Sequence, residues 1–484
     1  MSGFHVEHFG CRSARADGEA MSEWLRAAGH SICQPGKAEV VIVNTCSVTA
    51  EADRAARAFI RRAHRLNPEA RILVTGCYAQ RAPQELAALK GVAAVVGNSH
   101  KAFAPEIALG LARQISSKTV DGFPQNIELI QIKAAQAASA PPQVVWADDR
   151  FAHSFLEEAQ VLPGLQTRPN LKIQEGCGNR CTFCVIPQTR GPSRSLSLAA
   201  VLRHVDGFVA AGGNELVLSG INLGRWGRDL KTDHAASKQT LAWLVRQILH
   251  RSSLPRLRLS SIEPMDWDEE LIALMAEFGG TRLARHAHLP LQSGSDAVLR
   301  RMHRRYRPWH YAEKVEMLLR VADPELTLGA DVMVGFPGET DSEFKETVEM
   351  VRSLPFGYLH LFPFSARPGT RGWALHAETP VPAAVVRERM GVLRDLAIEK
   401  TRTHRQRFIG LELDAITLHT QPELERNGRT AALTENFLPL ELAGLLGGNQ
   451  LIRVRVSAIN PEGSLIAAGV LERKPQYGAA TISV

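Results

Sequence analysis

Three cysteines share one short loop. Cys177, Cys181 and Cys184 stand at C-x3-C-x2-C spacing in GCGNRCTFC, directly after a strand-like run from Leu171 to Gln174. Three thiolates held this close together need a metal. Four-ligand zinc sites pair two-cysteine knuckles, and nothing beside this loop supplies a second knuckle, a fourth thiolate or an imidazole. The spacing suits a 4Fe-4S cluster with one iron left open. A small molecule can bind that iron through amino and carboxylate groups, as water binds an open zinc position.

The chain has seven cysteines, an odd number that argues for reduced thiols and metal ligands rather than disulfides. Three of the others follow strand-like runs. Cys11 ends a short run at 4–9, Cys46 follows EVVIVN at 39–44, and Cys77 follows RILVT at 71–75. Helix-like stretches come after them, from Asp17 to Ala28, from about Ala50 to Leu66 with Glu51 and Asp53 near its positive end, and around Pro83 to Leu89. A further strand is expected at Val92 to Val96. Ligands of open α/β sheets bind just beyond the carboxyl ends of the strands. Cys46 and Cys77 therefore meet at one edge with Cys11 at the same relative place, a second three-thiolate site. Cys33, in HSICQ, does not fit this geometry and reads as a packed free thiol.

At 484 residues the chain exceeds one compact core. Order fades from about Ala104 to Pro169, where AAQAASAPPQ reads as linker and ELIQIKAA before it as a candidate strand. Strand-like runs then recur at 171–175, 215–221, 256–262, 286–292, 327–336 and 358–365, separated by amphipathic stretches. Right-handed βα crossovers curl such a series into a partial (β/α)6 barrel with its active face at the strand carboxyl ends. After a long helix at 381–405, alternating runs at 413–420, 431–442, 449–459 and 464–471 make a small OB-like β-barrel. The fold class is thus α/β, with a flavodoxin-like N-terminal domain at 1–105, a linker at 106–166, the barrel at 167–405 and the small β-barrel at 406–473.

A net charge of +7 weakly favours a polyanionic partner such as RNA. RRMHRRYR at Arg300 to Arg307, then Arg190 and Arg194, then the helix bearing Arg57, Arg61, Arg62 and Arg65, are the candidate phosphate contacts. MSGFHVEHFGCRS has no apolar h-region and no run is long enough to span a bilayer, so a cytoplasmic address without membrane attachment is expected.

The loop at 176–184, with Phe183 before its last cysteine, resembles the signature of the radical S-adenosylmethionine (SAM) enzymes. That resemblance implies SAM on the open iron and its reductive cleavage to a 5′-deoxyadenosyl radical. It further implies SAM contacts at Gly212, Gly213 and Glu215 as a GGE-like element, at Ser261 and Glu263 in SSIEP, and at Asp331 before GFPGET. Gln292 and Ser293 in LQSGS are similarly placed. FGCRSARADGEAM, NTCSVTAEAD and TGCYAQ stand where the methylthiotransferases, a radical SAM family, have their three ligand-bearing motifs. The family usually has Asn where this chain has Ala14. LTENFLPLEL and IRVRV look like the family's closing TRAM domain. NTCSVTAEAD, EGCGNRCTFCVIP and GINLGRWG are most similar to the branch that acts on N6-threonylcarbamoyladenosine in tRNA. The resemblance implies two 4Fe-4S clusters, on Cys177, Cys181 and Cys184 and on Cys11, Cys46 and Cys77. Two SAM per turnover, a tRNA substrate, a reducing partner such as flavodoxin or ferredoxin and a sulfur source go with them. The alternatives are methylthiolation of isopentenyladenosine or of a ribosomal-protein aspartate, and, in another class, a non-catalytic RNA-binding iron-sulfur protein.

Overall fold

The apolar run VVIV opens a strand, Val40–Thr45, that is buried along its whole length. Such a strand needs cover on both faces, as parallel sheets have. It lies third in a six-stranded sheet ordered Ser31–Ile32, Gly3–His8, Val40–Thr45, Arg71–Gly76, Val92–Gly97 and Val144–Trp146, with every pair parallel. The computed structural model describes residues 3–116, 144–155, 161–163, 166–230, 239–322 and 324–474. The chain divides into two compact units, Met1–Gln160 with Glu175–Ser193 and Ser365–Thr370, and Val161–Gln174 with Arg194–Phe364 and Arg371–Val484.

In the first unit alternate residues of each strand serve opposite cores. Val41, Val43, Ile72 and Val74 pack with Ala56, Phe59, Ile60 and Ala63 of helix Ala50–Leu66. Val40, Ile42 and Leu73 pack with Met21 and Leu25 of helix Arg12–Ala27. The Thr49 side chain caps helix Ala50–Leu66 by accepting from the Ala52 amide at 3.2 Å, so the chain leaves the strand through Cys46 and turns at once into helix. Ala104–Ser116 is a helix, where the sequence reading had order fading. Its Ala104, Ile107, Ala108, Leu111 and Ala112 form an apolar face at helical spacing against the second core. The ELIQIKAA and AAQAASAPPQ stretches lie outside the described residues.

In the second unit, parallel pairing joins Asn170–Glu175, Glu215–Gly220 and Arg256–Leu259, and also His286–His288, Thr327–Val334 and Phe356–Pro363. Bonds from the Leu257 amide to the Arg282 carbonyl (2.8 Å) and from the Ile262 amide to the His288 carbonyl (3.0 Å) carry the arc across the gap. Six strands thus follow one another in chain order, with helices between them, as a partial (β/α)6 barrel. The tail closes into a five-stranded barrel around Leu413, Leu440, Ile452, Val454 and Leu465. Its 431–442 run is two strands, Arg429–Thr434 and Pro439–Ala443, because Phe437 turns the chain at φ +71°.

The tail barrel docks on the amino ends of the barrel strands. Asn449 donates to the Gly212 carbonyl at 2.8 Å, Asn214 donates to the Asn449 carbonyl at 2.7 Å, and Glu435 accepts from Arg285 at 2.8 Å. Beneath this contact the fully buried Glu215 carboxylate faces Arg258 at 2.7 Å, Arg256 at 3.3 Å and Arg168 at 3.4 Å. Burial alone would raise the Glu215 pKa. The guanidinium groups of Arg258, Arg168 and Arg256 overcome it and hold the carboxyl at about 2, below the ordinary 4.5.

A depressed carboxyl pKa stabilises the fold above the unfolded value, and that stability is lost as pH falls from 4.5 through about 2. Glu215→Gln should cost about 3–5 kcal/mol at neutral pH by leaving buried guanidinium charge without its partner. It should also flatten the acid limb of the stability curve over the same window. Urea unfolding at a series of pH values measures both, and an unchanged midpoint would dismiss the ion cluster as a stabiliser.

Candidate metal centres

Three strands of the first unit end at cysteines. Cys11 follows Gly3–His8 by three residues, Cys46 directly follows Val40–Thr45, and Cys77 directly follows Arg71–Gly76. The first two strands flank the point where the sheet order reverses, the usual ligand crevice of a doubly wound sheet. Two glycines bring the thiols in. Gly10 sits at φ +101°, and a Cβ there would lie 2.5 Å from Cys46 Sγ; Gly76 sits at φ +98°, and its Cβ would lie 2.2 Å from the Thr45 carbonyl oxygen. Only glycine fits either place.

Cys46 and Cys77 are buried and Cys11 is exposed. Burial pushes the Cys46 thiol up to about 12, with the neighbouring Cys77 and Cys11 sulfurs adding to it; the Val48 amide, 3.5 Å from its sulfur, and Arg190 oppose the rise. A thiol whose ionisation two neighbouring sulfurs oppose belongs to a donor set that suits a polycation. An iron-sulfur core meets that need, so the residues present fit one. Cys33 lies elsewhere, half-buried, with its thiol 3.6 Å from the Phe4 carbonyl oxygen.

The loop at 176–184 belongs to the same compact unit. Gly176, at φ +71°, lets the Cys177 amide reach the Gly191 carbonyl at 3.0 Å. The Asn179 amide points at Cys177 Sγ at 3.4 Å, and the Cys184 amide bonds the Cys181 carbonyl at 3.1 Å. All three thiols are half-buried. The Asn179 amide supplies the kind of N–H···S bond that cluster-bound sulfurs commonly accept.

Residues that no motif marks complete the first site. Asn98, fully buried and next after strand Val92–Gly97, donates to Cys77 Sγ at 3.5 Å and to the Thr189 carbonyl at 2.7 Å. Its position beyond a strand end was the available signal. Arg190, expected as a phosphate contact, is instead fully buried; its Nε is 3.2 Å from Cys77 Sγ and its Nη1 is 2.6 Å from Glu175. Ser47, beside Cys46, accepts from Arg81 at 2.8 Å and from Arg367 at 3.0 Å, and both arginines also bind the buried Asp53. Ala14 is buried, and its carbonyl accepts from Asn44 at 2.5 Å.

In the second unit the expected SAM contacts separate by strand end. Gly212, Gly213 and Glu215 lie at the amino end of Glu215–Gly220, with Gly213 against the Phe208 ring and Glu215 held by three arginines. Their contacts here are internal to the fold. The carboxyl end carries Asn222, whose amide bonds the Gln174 side chain at 2.7 Å. Ser261 and Glu263 do follow a carboxyl end, that of Arg256–Leu259, and Glu263 is gripped by Arg304 at 2.6 and 2.7 Å. Asp331 sits midway along its strand, 3.2 Å from both His288 and His360, in a group whose ligating atoms lie within 4.8 Å of one another. Burial alone would raise its pKa, but the two histidines hold it well below the usual carboxylate range. Gln292 adopts φ +61°, its carbonyl accepting from the Met333 amide, and Ser293 bonds Thr347 at 3.0 Å.

The basic run is also internally engaged. Arg300 and Arg307 pair with Asp296, Arg301 with Glu343, Arg304 with Glu263 and Arg305 with Asp266. On helix Ala50–Leu66, by contrast, Arg54, Arg61, Arg62 and Arg65 are exposed and have no acidic partner among the described residues. Among the described residues no helix is long and apolar enough to cross a membrane.

Residues 3–97 match the model of uncharacterized protein family UPF0004, and residues 171–351 match the radical SAM superfamily. A threonylcarbamoyladenosine tRNA methylthiotransferase MtaB of Aquifex aeolicus is 33% identical over 451 residues, covering 93% of this chain and 99% of that protein. The protein of the same name from Bacillus subtilis is 33% identical, covering 91% and 90%. A tRNA-2-methylthio-N(6)-dimethylallyladenosine synthase of Syntrophotalea carbinolica is 31% identical, covering 86% and 88%. With cysteines at three strand ends of a parallel sheet, a C-x3-C-x2-C loop directly after strand Asn170–Glu175, and relatives 33% identical over nearly the whole chain, the chain belongs to the radical SAM methylthiotransferase family.

Proposed function

We propose that Cys177, Cys181 and Cys184 hold one 4Fe-4S cluster, that Cys11, Cys46 and Cys77 hold a second, and that the chain methylthiolates C2 of the adenine in N6-threonylcarbamoyladenosine of tRNA, using two SAM per product. The observation that carries the reading is the convergence of three thiols from three strand ends on one charge-demanding place. The substrate assignment rests on two relatives, each 33% identical to this chain, that are named for threonylcarbamoyladenosine. When bound, the clusters and SAM supply the hard chemistry: a primary-carbon radical able to attack an aromatic C–H, and a sulfur with its methyl group. A reducing partner, a sulfur source and a cytoplasmic setting complete the scheme.

The chain's own residues position and shield. Gly10 and Gly76 let two ligand loops approach, Asn98 and Arg190 donate to Cys77 sulfur, and Arg81 and Arg367 fix Ser47 beside Cys46. Ser261 and Glu263, beyond a barrel strand's carboxyl end, are kept as contacts for the SAM ribose. The exposed arginines of helix Ala50–Leu66 are the favoured phosphate contacts, since the 300–307 run already serves internal carboxylates.

A strain lacking this chain should lose 2-methylthio-N6-threonylcarbamoyladenosine from its tRNA and accumulate the unthiolated nucleoside. Mass spectrometry of digested tRNA decides, and loss of the isopentenyladenosine derivative in its place would move the substrate to the other branch. Replacing Arg61, Arg62 and Arg65 together by Glu should weaken tRNA binding and lower the slope of log affinity against log salt by about one per lost phosphate contact. Equal slopes for the two proteins would remove this helix from the RNA interface.

A further inference from the structure

Arg190 lies six residues beyond Cys184, yet its side chain is fully buried at Cys77, more than a hundred positions away in sequence. One planar guanidinium makes several bonds there. Nε donates to Cys77 Sγ at 3.2 Å, and Nη1 donates to Glu175 at 2.6 Å and to Ser13 at 3.2 Å, with Asp17 at 3.5 Å. Asp17 is shared with Lys101, itself fully buried. The charges of Arg190 and Lys101 offset those of Asp17 and Glu175. A ligand thiolate at Cys77 therefore enters a pocket whose carboxylates are already matched, and the Nε–H is aimed at it. Lysine cannot reproduce this fork, because an ammonium is a point charge without two fixed donor directions.

We infer that Arg190 is a positioning residue for the second centre: its guanidinium donates to the Cys77 sulfur, raises that centre's reduction potential, and ties it through Glu175 to the loop bearing the first. In this structure Cys77 Sγ is a thiol standing where the bound thiolate would be. Hydrogen bonds to ligand sulfurs and the net charge around a cluster set its potential, since both stabilise the more negative reduced state. Glu175 acts in the opposite sense. It adds negative charge and draws the guanidinium toward itself, so the two side chains are a matched pair tuning one potential. The inference rests on the proposal that Cys11, Cys46 and Cys77 hold a cluster.

The test uses the full chain with Cys177, Cys181 and Cys184 all replaced by Ala, reconstituted anaerobically, so that any remaining cluster signal belongs to the second centre. A redox titration followed by electron paramagnetic resonance gives its midpoint. Adding Arg190→Gln should make the midpoint more negative, Arg190→Lys should shift it the same way by less, and Glu175→Gln should make it more positive. Opposite signs for Arg190→Gln and Glu175→Gln are what a merely structural disturbance does not produce. Should Arg190→Gln fail to fold, Arg190→Lys and Glu175→Gln still carry the comparison. Unchanged midpoints with full iron content, or shifts of one sign in all variants, overturn the role of Arg190. A background protein that takes up no iron overturns the two-centre reading itself, and this inference with it.

Discussion

Sulfurs brought close together oppose one another's ionisation unless positive charge lies among them, and the surroundings of Cys46 and Cys77 in the first unit meet that constraint. At Cys46, burial and its two sulfur neighbours push the thiol up to about 12, against the opposing Val48 amide and Arg190. Everything nearby compensates. An amide, an asparagine and a guanidinium point at the sulfurs, and two acidic side chains are matched by Lys101 and Arg190 so that they do not add to the repulsion. The glycines before Cys11 and Cys77 serve the same end, since a side chain at either would occupy space the thiols and their strands need.

The second unit meets a related problem in another way. Its buried charge, Glu215 among three arginines, sits at the amino ends of the barrel strands, where the tail barrel also docks through Asn449 and Glu435. Stability is thereby concentrated at one end of the strands. The loops at their carboxyl ends carry Asn222, Ser261 and Glu263, at the end where (β/α) barrels commonly bind ligands.

Much of this was legible in the sequence because apolar runs mark strands and strand direction marks the ligand edge. That logic located Cys11, Cys46 and Cys77 without any local motif, and it located the barrel and tail elements to within a few residues. The GGE-like motif stands apart from it. Gly212 and Gly213 precede their strand and Glu215 opens it, at the end opposite the one where such sheets usually bind ligands. Charge was the other weak point. A sequence displays arginines but not their partners, so Arg190 and the 300–307 run read as phosphate contacts until Cys77, Glu175, Asp266, Asp296 and Glu343 were seen beside them. Asn98 and Lys101 were invisible for the converse reason, as single polar residues whose importance comes only from being fully buried.

The central claim is that this one chain carries two separate iron-sulfur centres on two cysteine triads. Iron and acid-labile sulfide analysis of the anaerobically reconstituted protein tests it most directly. The account predicts about eight irons per chain, falling to about four when either triad is replaced by alanine. About four in the intact chain, unaffected by replacing Cys11, Cys46 and Cys77, would contradict it.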